Sequence, residues 1–254
     1  MIPLREQDYI RDRFAQELEG RVKIDYFTQK PSPLYVPGRE ECAYCQDTQQ
    51  LLEELAALSD KVSLTVHELA QAAGEAKKLG IDKVPGIVLR GPANRPLRFF
   101  GIPGGNEFPN FVETIIEASK QKAQVGADTA KQLKKLRDDV SITVYVTPTC
   151  PYCPGVVRAA YRLALASAHV QAAAVEIGEF PRLAQQLAVR AVPMTVINDS
   201  AVLTGVVDEA GLLEAALKAT EGGALSAAPA RRGATSDATA PAGGAATSGL
   251  ILPR

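Results

Sequence analysis

Two cysteine pairs stand at one fixed distance from a Val-Pro step. Cys42 and Cys45 form the first Cys-X-X-Cys pair, and Cys150 and Cys153 form the second. Val84-Pro85 follows the first pair and Val192-Pro193 the second. The offset is 43 positions from Cys42 to Pro85 and again from Cys150 to Pro193. The run Leu79-Gly-Ile-Asp-Lys-Val-Pro85 matches Leu187-Ala-Val-Arg-Ala-Val-Pro193 in its leucine, its aliphatic third residue and its closing Val-Pro. A chain patterned this way is one unit written twice. Its 254 residues allow two small units, each large enough to bury a core.

The hydrophobic periodicity repeats in step with the cysteines. Residues 3–19 alternate at helical spacing. Val22–Phe27 alternates with period two and reads as a strand. A Pro- and Gly-bearing loop from Lys30 to Gly38 leads to Cys42, and leucines at helical spacing follow from Gln46 to Leu58. Then come a strand at 62–66, a helix at about 69–79, two strands at 86–89 and 97–100, and a closing helix at about 106–120. A charged connector at about 127–138 reads as helical. Beyond it the order recurs: strand 142–146, a helix from the second cysteine pair to about 167, strand 170–175, helix 181–188, strands 194–197 and 201–204, and helix 208–219. The expected fold class is α/β, with a central mixed sheet in each unit flanked by helices on both faces. The units are read as 1–122 and 123–221. Residues 222–254 are rich in Ala, Gly, Ser, Thr and Pro, and such a stretch buries too little apolar surface to offset its ordering entropy. It is read as a disordered tail.

A Cys-X-X-Cys pair at a helix N-terminus suits thiol chemistry. Unsatisfied backbone N–H groups and the positive end of the helix dipole favour thiolate over thiol. The thiolate is the species that attacks a disulfide. The second cysteine, one turn on, can attack the resulting mixed disulfide. Cys150 and Cys42 are therefore assigned as nucleophiles, and Cys153 and Cys45 as resolving residues. Pro151 is expected in the first helical turn, where its missing N–H is harmless. Val84-Pro85 and Val192-Pro193 fall at strand starts, where proline is tolerated. A cis bond there would expose a backbone segment beside the sulfurs for an extended substrate to pair with. Tyr44 and Tyr152 hold the same tetrad position and either touch substrate or shield the sulfurs. A shared zinc site would normally need pairs ~15–20 residues apart, whereas Cys42 and Cys150 are 108 positions apart. No metal is assigned. A permanent structural bridge is the other bland reading, and it is uncommon in reducing compartments.

Composition narrows the partners. There are 28 basic and 29 acidic residues, a formal net charge of -1. That balance argues against nucleic acid or a membrane surface as the main partner. No apolar run approaches the ~20 residues that span a bilayer, and the charged N-terminus reads as no export signal. The expected location is the cytoplasm.

These residues resemble the protein disulfide oxidoreductases, two-domain glutaredoxin-like proteins with tandem thioredoxin folds. The resemblance covers about residues 10–220. Cys150-Pro-Tyr-Cys153 is the glutaredoxin type of tetrad, and Phe100-Gly-Ile-Pro-Gly-Gly-Asn-Glu-Phe108 is similar to the family's segment entering the last helix of the first half. The resemblance implies dithiol–disulfide exchange on protein substrates and cis proline at Pro85 and Pro193. It implies no bound cofactor beyond the disulfides themselves, with recycling by a thioredoxin-reductase-like flavoprotein that uses NADPH. Three departures bear on it. The first tetrad, Cys42-Ala-Tyr-Cys45, follows Glu41, whose charge opposes a low thiol pKa, so the second pair is read as the working centre. The chain has no Trp, which makes plain thioredoxin the poorer match. Val144 stands where thioredoxin has a buried aspartate, which leaves the proton acceptor for Cys153 unassigned.

Two rival functions remain at this point. One is an electron-transfer module that feeds a peroxiredoxin. The other is a peptide-binding chaperone or scaffold that uses the Val-Pro grooves. His67 and His169 are read as satisfied or solvated. The ending Gly249-Leu-Ile-Leu-Pro-Arg254 resembles peptides that load cargo into protein shells, so a tail-docked shell or partner protein is a further candidate.

Overall fold

The computed structural model describes residues 2–30 and 41–220. The tail and most of the Lys30–Gly38 loop lie outside the described residues, and with them the shell-docking peptide. Eight strands are described: β1 (Val22–Thr28), β2 (Val62–Glu68), β3 (Gly86–Arg90), β4 (Leu97–Phe100), β5 (Val140–Val146), β6 (Val170–Glu176), β7 (Met194–Ile197) and β8 (Ala201–Thr204). The helices are α1 (Leu4–Glu17), α2 (Cys45–Ala56), α3 (Ala73–Leu79), α4 (Glu107–Ala118), α5 (Ala127–Leu133), α6 (Cys153–Ala166), α7 (Pro181–Gln186) and α8 (Glu209–Thr220). A short 3₁₀ turn covers Ile177–Glu179.

The strands form one continuous sheet in the order β2-β1-β3-β4-β6-β5-β7-β8. Each half repeats one pattern: the first strand pairs parallel with the second and antiparallel with the third, and the third pairs antiparallel with the fourth. The halves join where β4 pairs parallel with β6, from Leu97 opposite Ala172 to Phe100 opposite Val175. Each half has the mixed sheet expected of it, and the two are joined into one. Pairing two strands that would otherwise be sheet edges leaves only β2 and β8 at the edges of the described sheet.

Helices cover both faces. On one face Phe14, Leu52, Leu55, Phe111, Ile115, Val156, Leu163 and Leu212 pack with Ile24, Tyr26, Ile142 and Val144. On the other, Ala76 and Leu79 of α3 and Leu183 of α7 pack with Phe27, Val88, Phe100 and Val196. Strand β6 is unusual for its run Ala172-Ala-Ala174. Alanine is a poor strand former, but these positions lie in the middle of the sheet, and small side chains there let α6 sit close above the strand.

Three local expectations shift. Helix α3 starts at Ala73 rather than 69, because residues 68–72 form a turn in which the Gln71 and Ala72 amides donate to the Glu68 carbonyl. Helix α5 ends at Leu133, short of 138. Pro151 lies before α6 rather than in its first turn, which Pro154 occupies. Helix α6 is assigned from Cys153, so the first cysteine and its proline form the lead-in.

His67 and His169 are both satisfied. The His67 ring stacks on Phe27, with centroids 4.7 Å apart, and its Nε2 lies 3.0 Å from Asp25 Oδ1. His169 Nδ1 lies 3.1 Å from Asp139 Oδ1.

Candidate active site

Strands β1, β4, β5 and β6 all run the same way, so β1 and β5 present their C-terminal ends at one rim of the sheet. The two cysteine pairs follow these ends. Four strand spacings separate β1 from β5, or roughly 19 Å at ~4.8 Å per spacing. That distance prevents the two pairs from sharing one metal ion. Among the described residues no group of three or more His, Cys, Asp or Glu could hold one.

Each pair is closed as a disulfide, with Cα atoms 5.5 Å apart at Cys42–Cys45 and 5.6 Å at Cys150–Cys153. Cys45 and Cys153 are the first residues of α2 and α6 and are buried. The Cys153 amide N lies 3.2 Å from Cys150 Sγ, which points a free helix N–H at the outer sulfur. This is the contact that stabilises a thiolate when the bond opens. The Cys150 amide closes the preceding turn on the Thr147 carbonyl at 3.1 Å.

The Val84-Pro85 and Val192-Pro193 peptide bonds are both cis. Cys150 Sγ lies 3.9 Å from the Val192 carbonyl oxygen. Behind each proline the arrangement is the same. The Gly101 amide donates to the Pro85 carbonyl at 2.8 Å, and the Gly205 amide donates to the Pro193 carbonyl at 2.9 Å. Both glycines have positive φ, 96° and 90°, a region open to glycine. Tyr44 and Tyr152 are both exposed, at 45% and 66%. The structure thus brings Cys42, Cys45, Tyr44, Val84 and Pro85 together at one end of the rim, and Cys150, Cys153, Val192 and Pro193 at the other.

The surroundings differ. Cys42, Tyr44, Val84 and Pro85 line a cleft of about 810 Å³, whose far wall is Gly178–Arg182 of the second half. That wall exists because β6 follows β4 in the sheet. The second pair faces the β8 edge instead. Cys42 is half-buried, whereas Cys150 is only 7% exposed.

Two carboxylic acids near the rim escaped the sequence reading. Glu179 lines the first cleft, its Oε1 accepts from the Ile102 amide at 2.6 Å, and burial raises its pKa to about 7. Glu107 is 1% exposed and burial also raises its pKa to about 7. Its Oε2 accepts from Asn110 Nδ2 at 3.0 Å, and its buried Oε1 has no hydrogen-bond partner among the described residues. The loop just before it packs on the turn ahead of Cys150, where the Asn106 amide donates to the Pro148 carbonyl at 2.8 Å. Glu107 lies inside the segment Phe100–Phe108 already singled out, and an acid between the turn residues Gly104–Asn106 and Phe108 was the available signal. Tyr26 also escaped notice: its hydroxyl donates to the Cys45 carbonyl at 2.7 Å, and burial pushes its pKa up to about 12.

Comparison with known proteins gives consistent results. A family described as "Thioredoxin domain" matches residues 140–218. An alkyl hydroperoxide reductase subunit of Xanthomonas campestris pv. phaseoli is 27% identical over 160 residues, covering 63% of this chain and 28% of that protein. The chain therefore spans less than a third of the length of this curated relative. The solved AhpF component of the Enterococcus faecalis alkylhydroperoxide reductase superposes with a TM-score of 0.74 at 26% identity, over 84% of this chain and 98% of the solved one. A protein disulfide oxidoreductase from Aeropyrum pernix K1 gives 0.77 at 25% identity, over 88% and 96%.

Proposed function

We infer that this chain, which belongs to the thioredoxin-fold dithiol–disulfide oxidoreductases, works on protein substrates through Cys150 and Cys153, with Cys42 and Cys45 as a second centre or an electron relay. It acts as two units, 1–122 and 123–221, with one centre each. The observation that carries the assignment is the juxtaposition at the second centre: a sulfur under a helix N–H at 3.2 Å and beside the carbonyl of a cis Val-Pro at 3.9 Å.

In the reducing direction the Cys150 thiolate attacks one sulfur of a substrate disulfide. That S–S bond breaks, a Cys150–substrate bond forms, and the other substrate sulfur leaves and takes a proton. The Cys153 thiol then gives its proton to a base, and its sulfur attacks Cys150 Sγ. The substrate leaves as a dithiol and the Cys150–Cys153 disulfide closes. The reverse sequence oxidises a dithiol. An extended substrate segment lies along Val192-Pro193 or Val84-Pro85, with Tyr152 or Tyr44 beside it. We assign Glu107 as the base for Cys153: it follows Asn106, whose amide is tied to the turn ahead of Cys150, its buried Oε1 has no partner among the described residues, and burial raises its pKa to about 7. Electrons return from a flavoprotein reductase using NADPH, and the cytoplasm is the setting consistent with reversible dithiols. No described helix is long and apolar enough to cross a membrane.

The relatives named for alkyl hydroperoxide reductase favour a second reading, in which the chain passes electrons to a peroxiredoxin.

Dithiothreitol-dependent insulin reduction by wild type, Cys42→Ser and Cys150→Ser tests the first reading. Loss of turnover in Cys150→Ser, with only weakening in Cys42→Ser, supports it. If all three are inactive beside a working thioredoxin control, general disulfide reduction is wrong. Peroxide consumption with an added peroxiredoxin then tests the second.

A further inference from the structure

A basic groove lies at the rim of the sheet opposite the cysteines. It is a cavity of about 760 Å³ between the β3–β4 turn, the segment after α4, helix α5 and the end of α6. Arg95, Lys122, Lys134 and Arg137 line it, and no acidic residue does. None of the four forms an ion pair among the described residues. Other bases do stand beside acids: Arg13 with Glu17 and Glu113, Arg162 with Glu117, and Arg90 with Asp25. In a chain of net charge -1, four unpaired cations in one groove are a local excess.

Helix ends do not absorb that excess. The groove meets the C-termini of α5 and α6, and each helix end carries about half a negative charge at most. Together they offset about one of the four cations. His169 at the groove's end is already engaged by Asp139. Lys120 and Glu19 line an adjoining cavity of about 430 Å³ that shares Lys122, and they cancel each other in formal charge.

The floor is apolar. Leu133, Leu136 and Leu165 are buried there, with Val125 and Ala130 half-buried beside them. No Phe, Tyr or Trp lines it, so the groove lacks the stacking platforms typical of single-stranded nucleic-acid sites. An apolar trough with a cationic rim matches a polypeptide that presents acidic and aliphatic residues on one face. We propose that this groove docks an acidic, leucine-bearing segment of a partner protein. Strand β5 is seven residues long, which places the groove about 20 Å from the Cys150 rim. A partner held there leaves both disulfide centres free, so the groove tethers and does not compete with substrate. The tail of this chain is a poor occupant, because residues 221–254 carry Glu221 and Asp237 against Arg231, Arg232 and Arg254.

The test uses the full chain and a fluorescein-labelled peptide of Glu and Leu at helical spacing, read by fluorescence anisotropy. Saturable binding that weakens as salt rises from about 0.03 M to about 0.3 M is expected. The triple variant Lys122→Glu, Lys134→Glu, Arg137→Glu should bind at least about tenfold more weakly, and the triple Gln variant should fall between. Insulin reduction by both variants should match wild type, which also verifies folding. Equal affinity for the charge-reversed variant overturns the proposal. So does no binding to wild type, or tighter binding of a single-stranded oligonucleotide.

Discussion

The Asn106 amide donates to the Pro148 carbonyl at 2.8 Å and so ties the last loop of the first half to the turn that presents Cys150. Gly105 makes this approach feasible. Its φ is +56°, and a Cβ on it would stand 2.3 Å from the Pro148 carbonyl oxygen. Gly105→Ala should lower stability by roughly 1–3 kcal/mol. In a Cys42→Ser, Cys45→Ser background it should also slow insulin turnover, because the displaced loop leads directly into Glu107. Urea unfolding and the turnover assay check the two effects separately.

Buried Glu107 should give the protein a pH-dependent stability. Burial raises its pKa from 4.5 to about 7. Between those values the folded chain holds a proton that the unfolded chain has released. Stability therefore falls as pH rises through that window and levels off above about 7. The loss attributable to this group is of order 3 kcal/mol, at about 1.4 kcal/mol for each tenfold gain in proton affinity on folding. Glu179, also raised to about 7, acts in the same direction. Urea midpoints from about pH 5 to about pH 8 should slope downward in wild type and less steeply in Glu107→Gln. Parallel curves for the two proteins would refute a buried, neutral Glu107.

Asp25 should act in the opposite sense. It is fully buried, with His67 at 3.0 Å, Lys23 at 3.1 Å and Arg90 in contact. Burial alone would raise its pKa, but the hydrogen bonds from His67, Arg90 and Lys23 outweigh that and hold it below 3.8. Its contribution is present above the unfolded value and disappears as pH falls below about 4. Asp25→Ala leaves Lys23, Arg90 and the His67 ring facing an apolar gap and should destabilise by roughly 3 kcal/mol. Thermal melts at neutral pH check this, and insulin turnover below the melting range should stay near wild type.

Tyr26→Phe removes the hydroxyl that donates to the Cys45 carbonyl. The second half has Val144 at the matching strand position and manages without such a bond. The substitution should cost about 1 kcal/mol in urea unfolding and leave Cys150-dependent turnover unchanged. A collapse of that turnover would mean the two centres are coupled through the sheet.

The repeat was legible because it rests on local signals. Cysteine spacing, the Val-Pro steps and alternating periodicity each need only a few neighbouring residues, and both CxxC helices and both cis prolines lie where the pattern put them. Joining the halves into one sheet was not legible, since Leu97–Phe100 and Val170–Glu176 carry no residue that names a partner strand. The alanines of β6 even argue weakly against a central strand. Glu107 and Glu179 were missed for a related reason. A glutamate reads as solvent-facing until distant chain buries it, and no residue next to Glu107 or Glu179 in the sequence announces that burial.

The parallel junction of β4 with β6 makes the distance between the two disulfides a counted quantity. A flexible linker would let two domains slide or fold over each other. A shared sheet allows change only by whole strands. The two centres therefore act as fixed jaws of one gauge, facing the same way, and a client that engages both must bring its own sulfurs to that span.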